Sequence, residues 1–244
     1  QKNIGNVNLW FTEDGTEQYH FPEDYFKIKT KYFEYLTSRK ENIIYNLIRN
    51  CFHSTAEPMK IITEIILPAI DSVHNLLDQG KIGRSELNLL EKIISNSIQI
   101  INLEGVQSDP KKNVVVISAD YQSVLVSEAI SASFHTDGWQ VYSLGDMSPS
   151  IDVLFDLDLQ KFLTKIWKSR IGIMIVVVFS STEDSLKFFA ESVNSIKSKF
   201  QRNLYLVLCG KVEKNTIKAD LISQDVESAI QWSQTIFENF VSRV

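Results

Sequence analysis

The chain has 244 residues, enough for one large domain or for two smaller ones that each bury a core. Its formal net charge is −5 and it contains no basic run, which argues against direct nucleic-acid binding by this segment. No signal peptide or membrane-spanning run is visible, and the two cysteines lie in apolar contexts, so we expect a cytoplasmic protein with buried thiols. Because the chain begins at Gln1 rather than Met, we also expect it to be part of a longer protein.

The N-terminal part of the chain has helical periodicity. Residues 1–21 are irregular and rich in aromatic side chains, and we interpret them as an arm or linker. Four amphipathic segments follow, with apolar residues at the i, i+3, i+4, i+7 spacing. Pro22 suits the first turn of the first helix, residues 38–41 fit a capping box before the second, and Pro68 should interrupt the third. Residues 22–104 are therefore predicted to form a helical cap domain.

The polar stretch 105–112, which carries Gly and Pro, marks a domain boundary. Beyond it, strand and helix patterns alternate as far as residue 244. The run 171–179 is almost entirely apolar and mostly β-branched, which is typical of a strand buried on both faces. This alternation predicts a parallel sheet with right-handed crossovers over residues 113–244. The other four strands are predicted at residues 113–118, 139–144, 204–209 and 219–222.

Several short motifs occur at the junctions of these elements. They are Leu67-Pro68-Ala69, the loop from Leu77 to Ile82 with Gly80, Gly138-Trp139-Gln140-Val141, Ser180-Ser181-Thr182, Ala219-Asp220 and the stretch from Asp225 to Ala229. Together they resemble the cobalamin-binding module of methionine synthase and of light-sensing transcription regulators, over roughly residues 30–240. The resemblance implies an α/β protein in which an N-terminal four-helix-bundle cap precedes a flavodoxin-like, doubly wound parallel five-stranded sheet. In that family a corrinoid lies between the two parts.

The cobalt-binding motif of the family is altered in this chain. The family ligates cobalt through the His of a D-x-H-x-x-G loop after the first strand. Counting back from Gly138 places Ser123 at the His position, Tyr121 at the acidic position and Val126 at the Gly position. No His lies between Asn113 and Phe134, and a serine hydroxyl is a poor cobalt ligand where imidazole is suited.

Two further family features also differ. The Gly-Gly pair that admits the nucleotide tail of the cofactor is Gly210-Lys211 here, and the lysine side chain would obstruct a close approach. In the cap, the position of the regulators' Trp holds Leu77. Their Glu-His pair falls at Leu87-Asn88, with Glu86 just before it.

The resemblance and the topology together predict a candidate ligand cleft between cap and sheet. Ligands of open α/β sheets bind at the carboxyl ends of the strands, where polar residues follow the first and third strands. The same polar residues could instead cap the helices that come next. The candidate cofactor-binding residues are Leu77, Glu86, Asp120, Tyr121, Ser123, Ser180, Ser181, Thr182 and Gly210.

Metal binding and catalysis have little support in the sequence. His74 could ligate a haem or a metal, or it could be a solvated or packed histidine, and no second ligand at metal spacing accompanies it. Lys211 could contact an anion or be plain surface. The chain lacks a nucleophile elbow, a phosphate loop, a dinucleotide-binding glycine motif and a zinc-protease motif. We therefore predict no metal site, no catalytic residue and no enzymatic activity.

Three functions are left open. The first is a non-enzymatic regulatory or sensor module, in signal transduction or transcription regulation, that has lost histidine-ligated cobalamin and senses another small molecule between cap and sheet. The second is a scaffold for a protein partner or a homodimer, with the cleft filled by side chains such as Leu77, Tyr121 and Lys211 and with Trp10 and Phe11 in the arm. The third is a sensor that holds cobalamin or haem by non-standard ligation. We expect no bound cofactor, no membrane and no nucleic-acid partner.

Overall fold

The computed structural model describes residues 19–152, 154–168, 170–200, 203–210, 212 and 217–243. The chain divides into two compact units, Gln1–Ile100 and Ile101–Val244. The predicted domain limits stay predictions, and so does the role of the arm, because Trp10 and Phe11 lie outside the described residues.

The first unit is helical. Its helices are α1 (Tyr25–Thr37), α2 (Glu41–His53), α3 (Pro58–Ile61), α4 (Leu67–Asp78) and most of α5 (Arg84–Asn102). They pack through apolar stripes, as the periodicity predicts. The fully buried side chains include Ile28, Leu36, Ile48, Ile65 and Ile94. Among the described residues, no helix combines the length and the apolarity that crossing a lipid bilayer requires.

The predicted interruption at Pro68 is a π-helical turn, Ile62–Ile66, between α3 and α4. Proline cannot donate an N–H, and its ring clashes with the carbonyl four residues before it. A π-helical turn bonds residues five apart, which accommodates Pro68 in the first turn of α4.

The predicted capping box at residues 38–41 is wrong. Ser38 is the C-cap of α1, where its N–H donates to the carbonyl of Glu34, and it lies two residues before the N-cap of α2. Lys40 holds the N-cap position of α2 and makes no side-chain capping hydrogen bond.

The second unit is a parallel sheet covered by helices. The strands are β1 (Asp109–Ser118), β2 (Trp139–Asp146), β3 (Ile173–Phe179), β4 (Leu204–Cys209) and β5 (Leu221–Ser223). In the described part of the chain they form one sheet in the order β2-β1-β3-β4-β5, with every pair parallel. The helices are α6 (Val124–Thr136), α7 (Phe155–Ile166), α8 (Glu183–Lys197) and α9 (Val226–Val241). The predicted flavodoxin-like, doubly wound order is confirmed.

Strand β3 lies at the centre of the sheet, and all seven of its residues are buried. Met174, Val176 and Val178 pack in the same cluster as the apolar faces of α7 and α8. The alternate residues of β3 point to the opposite face, because side chains alternate along a strand. On that opposite face Trp139 packs against Phe134 of α6 at 5.3 Å and Phe237 of α9 at 6.1 Å, measured between ring centroids. Burial on both faces explains the unbroken apolar run.

Both cysteines are free and buried, as the sequence predicts. Cys51 lies in α2 and Cys209 at the end of β4. Burial raises the pKa of each thiol to about 12, so neither is ionised at neutral pH.

A buried tyrosine in the first unit gives a test of the helical packing. The hydroxyl of Tyr32 donates to Ser97 Oγ at 2.9 Å, and Ser97 Oγ donates to the carbonyl of Ile93 at 3.0 Å. Replacing Tyr32 with Phe leaves the buried Ser97 hydroxyl without its donor, so the free energy of unfolding should fall by about 1 kcal/mol. Urea denaturation measures this loss.

The control is Tyr35→Phe on the same helix, because no hydrogen bond of the Tyr35 hydroxyl is found among the described residues. We expect the control to stay within about 0.5 kcal/mol of the wild type. Equal losses in the two variants would contradict this role for Tyr32.

Candidate functional site

The loops that follow β1 and β3 are joined by the carboxylate of Asp120. Its Oδ2 accepts hydrogen bonds from Ser180 Oγ at 2.7 Å, from Ser181 N at 2.6 Å and from Ser181 Oγ at 3.1 Å. Its Oδ1 accepts from Ser123 N at 2.9 Å and from Ser123 Oγ at 2.8 Å. The structure therefore brings together four of the predicted site residues. These four, which we call the Asp120 network, are Asp120, Ser123, Ser180 and Ser181.

The register of the sheet places these loops side by side. Ser118, the last residue of β1, pairs with Phe179, the last residue of β3. The next N–H, that of Ala119, donates to the carbonyl of Phe179 at 2.8 Å. Asp120 then begins the short 3₁₀ turn Tyr121–Ser123 as its N-cap. Of the two roles predicted for Asp120, helix capping is observed, and the same carboxylate also reaches the neighbouring strand's loop.

The charge of Asp120 is stabilised by neutral donors. Burial raises the pKa of this carboxyl, but the hydrogen bonds from Ser180, Ser181 and Ser123 outweigh burial and bring the pKa below its ordinary value. Within the described ranges, no lysine, arginine or histidine forms an ion pair with it. The carboxylate lies just before the start of α8, where backbone N–H groups and the helix dipole favour negative charge. A group of the chain itself thus occupies a position suited to an external anion.

The Ser-Ser-Thr motif is engaged within the chain. Ser180 is buried, with 5% of its surface exposed, and its Oγ accepts from the N–H of Thr182 at 3.1 Å. Thr182 holds the N-cap position of α8 without a side-chain capping bond, and its Oγ1 donates to Ser185 Oγ at 3.0 Å. Thr182 therefore holds the cap position of α8 while its hydroxyl contacts other hydroxyl groups.

Gly210 follows β4 and packs against the Ser180 loop. A Cβ atom at Gly210 would lie 2.4 Å from the carbonyl oxygen of Ser180, so only glycine fits without a shift of the backbone. Its N–H donates to the carbonyl of Ser223 in β5 at 3.1 Å. Close packing of two loops thus accounts for this glycine. Lys211 lies outside the described residues, and its obstructing role stays a prediction.

The other candidate residues are less engaged. Tyr121 has 65% of its surface exposed. In the first unit, Leu77 lies near the end of α4, and Glu86 in the first turn of α5 accepts a hydrogen bond from Arg39. That these first-unit residues line a cleft with the Asp120 network stays a prediction.

His74, the histidine considered for metal or haem binding, has a protein partner, and so does His135. His74 Nε2 lies 2.9 Å from Glu91 Oε1, and His135 Nδ1 lies 2.8 Å from Asn102 Oδ1. Across the described ranges, no group of three or more His, Cys, Asp or Glu side chains is arranged to hold a metal ion. The role of Asp120 in joining two strands was not foreseen. Its signal in the sequence is an aspartate two residues after one buried strand and two serines directly after another.

Comparison with solved structures finds this fold in a corrinoid protein. The monomethylamine corrinoid protein of Methanosarcina barkeri aligns over 86% of this chain and 98% of its own, with a TM-score of 0.65 and 15% sequence identity. The chain therefore has the fold of a cobalamin-binding module, as its motifs predict. At this identity the likeness defines the fold alone.

Two other solved structures are similar with lower scores. A cobalamin-binding protein from Desulfitobacterium hafniense DCB-2 aligns over 85% of this chain and 97% of its own, with a TM-score of 0.42 and 15% identity. The methanol:cobalamin methyltransferase complex of Methanosarcina barkeri aligns over 93% and 84%, with a TM-score of 0.41 and 15% identity. No protein-family model and no curated protein matches the sequence.

Removing the Asp120 carboxylate should destabilise the second unit in a pH-dependent way. Asp120→Asn places an amide among hydroxyl and N–H donors, so we expect a loss of about 2 kcal/mol in unfolding free energy at pH 7. Because the folded-state pKa is depressed, the stabilisation is present above the unfolded pKa of about 3.9 and is lost as the pH falls through the folded value. Urea denaturation at several pH values measures both effects.

The matched control is Asp152→Asn, which removes a carboxylate that accepts from the nearby N–H of Leu154 at 2.7 Å. We expect this local change to cost less than about 1 kcal/mol. A loss for Asp120→Asn that is equally small, or that persists unchanged below pH 3, would contradict the account.

The pair His74–Glu91 should stabilise the first unit with a pH dependence opposite to that of Asp120. The hydrogen bond with Glu91 raises the pKa of His74 and outweighs burial, and the carboxylates of Asp71 and Asp78 act in the same direction as Glu91. The stabilisation is fully present below the unfolded pKa of about 6.5 and is lost as the pH rises through the folded value. His74→Gln should therefore destabilise most below pH ~6.5 and least in alkaline buffer, with Glu91→Gln showing the same trend. A pH-independent difference in thermal melts would argue against this pair.

Proposed function

We propose that this chain is a non-enzymatic regulatory or sensor module that has the cobalamin-binding fold and has lost histidine-ligated cobalamin binding. The observation that carries the proposal is the environment of Ser123. This residue stands at the position of the family's cobalt-binding His, and both its N–H and its hydroxyl donate to Asp120.

The donor set around Ser123 does not suit cobalt. Imidazole is the side chain adapted to a corrinoid cobalt, and a serine hydroxyl is neutral and weakly donating. The next histidine along the chain is His135, at the far end of α6, where it contacts Asn102. Gly210 does not argue for a cofactor tail, because loop packing already requires glycine there. These residues support the loss of the histidine-ligated mode.

The Asp120 network offers a physical basis for sensing. A ligand that hydrogen-bonds with Ser180 or Ser181 would compete with Asp120 and release the loop after β1 from the loop after β3. Two arrangements of these loops would then differ in free energy by the ligand's differential affinity, which is the requirement for a conformational switch. The ligand's class, the signal and any effect on transcription belong to the proposal.

Two alternatives have support of their own. A protein-interaction scaffold is favoured by the closure of the Asp120 network through the chain's own side chains. A corrinoid carrier without protein histidine is favoured by the fold shared with a corrinoid protein. Haem binding would need His74 to leave Glu91.

Absorption spectroscopy tests the proposal. The purified chain is incubated in the dark with hydroxocobalamin or, separately, with haem, and is then desalted. We expect neither spectrum to remain with the wild-type protein. The matched variant Ser123→His returns an imidazole to the family's ligand position, and retention of corrinoid by this variant alone would support the loss of the ligand as the cause.

Each other outcome selects an alternative. A corrinoid spectrum retained by the wild type at about one equivalent would overturn the proposal and favour the carrier. Retained haem would make His74→Ala the next variant. If neither pigment is retained and light scattering shows a stable dimer, the scaffold gains support.

A further inference from the structure

We infer that the second unit carries a binding site for a small amphiphilic carboxylate, of the medium-chain fatty acid type, in a groove between the end of β2 and α7. The groove has a volume of about 390 Å³ and is lined by apolar side chains with charged residues. This volume falls in the usual range for small-molecule sites. The lining residues are Leu144, Met147, Phe155, Asp158, Leu159, Lys161, Phe162 and Lys165.

The walls of the groove are held by the main core. Phe155 and Leu159 are buried, and the Phe155 ring packs against Phe189 of α8 with centroids 4.9 Å apart. Phe162 meets Tyr142 of β2 edge-on at 6.4 Å. The backbone N–H of Met147 donates to the carbonyl of Ser118 at 2.8 Å, which anchors the end of β2 to β1. The apolar surface is thus largely preformed, which lowers the entropic cost of binding.

The charges of the groove favour an anion over a cation. Lys161 and Lys165 lie one helical turn apart on the same side of α7, and both are exposed. Across the described residues, neither lysine forms an ion pair. Asp158 lies one turn before Lys161 and partly offsets them, so the lining carries one net positive charge. A carboxylate can meet the two ammonium groups while its tail covers Leu144, Met147 and Phe162.

The charge selectivity of the groove can be tested with a neutral amphiphile and a cationic amphiphile that carry the same tail as the carboxylate. Both can bury the same tail, but neither supplies a negative charge for the lysines. An apolar groove without charge selectivity would bind all three headgroups alike. Selectivity for the carboxylate is therefore the specific content of the proposal.

Methionine methyl NMR tests the site directly. The full chain contains three methionines, Met59, Met147 and Met174, and labelling their methyl carbons gives one signal from the groove and two from elsewhere. Decanoate, added below its micelle concentration, should shift the Met147 signal in a saturable way and leave the Met59 and Met174 signals in place. Decanol and decyltrimethylammonium should bind at least about fivefold more weakly, since exposed ion pairs contribute modestly.

Surface variants complete the test without disturbing the core. The double variant Lys161→Gln/Lys165→Gln keeps good helix formers in α7 and should weaken decanoate binding about five- to tenfold. Lys168→Gln, an exposed lysine outside the groove, should bind decanoate like the wild type. A stationary Met147 signal, equal shifts of all three signals, equal affinity for the three headgroups, or an unchanged affinity of the double variant would each overturn the proposal.

Discussion

Burial of β3 on both faces is the constraint on which the second unit depends. A strand with no exposed face needs helices above and below the sheet, and α7 and α8 cover one side while α6 and α9 cover the other. Parallel pairing with β1 and β4 then brings three carboxyl ends to one edge of the sheet. Every loop that could bind a ligand at this edge is consequently within reach of its neighbours, and polar groups placed there must find partners.

Asp120 shows how polar groups at the carboxyl edge of the sheet find hydrogen-bond partners within the chain itself. A half-buried carboxylate needs several donors, and Ser123, Ser180 and Ser181 supply them, with no cation paired to it in the described part of the chain. The serines that resemble a ligand-binding motif therefore have a structural function, and Gly210 has one as well, because its backbone packs on Ser180. Contacts within the fold can therefore account for these serines and for this glycine without a ligand. Their presence supports a shared architecture more strongly than it supports a shared cofactor.

The proposed functions use different physical features of the second unit. At the carboxyl edge, polar groups are already paired, so a ligand must compete with Asp120. Beside β2, by contrast, a ligand would meet apolar surface that is open. Among the described residues β2 is an edge strand with no further strand beside it, and part of the apolar face of α7 is left open over Leu144. A switch at the first place and a carboxylate site at the second are compatible because they share no residue.

The sequence by itself determined the fold, because hydrophobic periodicity is a local property of the chain. Spacing in the first unit and unbroken runs in the second predicted helices and buried strands, and short motifs pointed to the cobalamin-binding fold that structural comparison confirms. Sequence patterns were least reliable where one helix ends and the next begins. Ser38, for example, ends α1 and does not form the predicted capping box of α2. Only the tertiary structure decided the partners of Asp120, since Ser180 is 60 residues away and comes close through strand pairing. The groove beside α7 could not be predicted from the sequence either. A concave surface arises from the packing of separate elements and leaves no periodic pattern in the sequence.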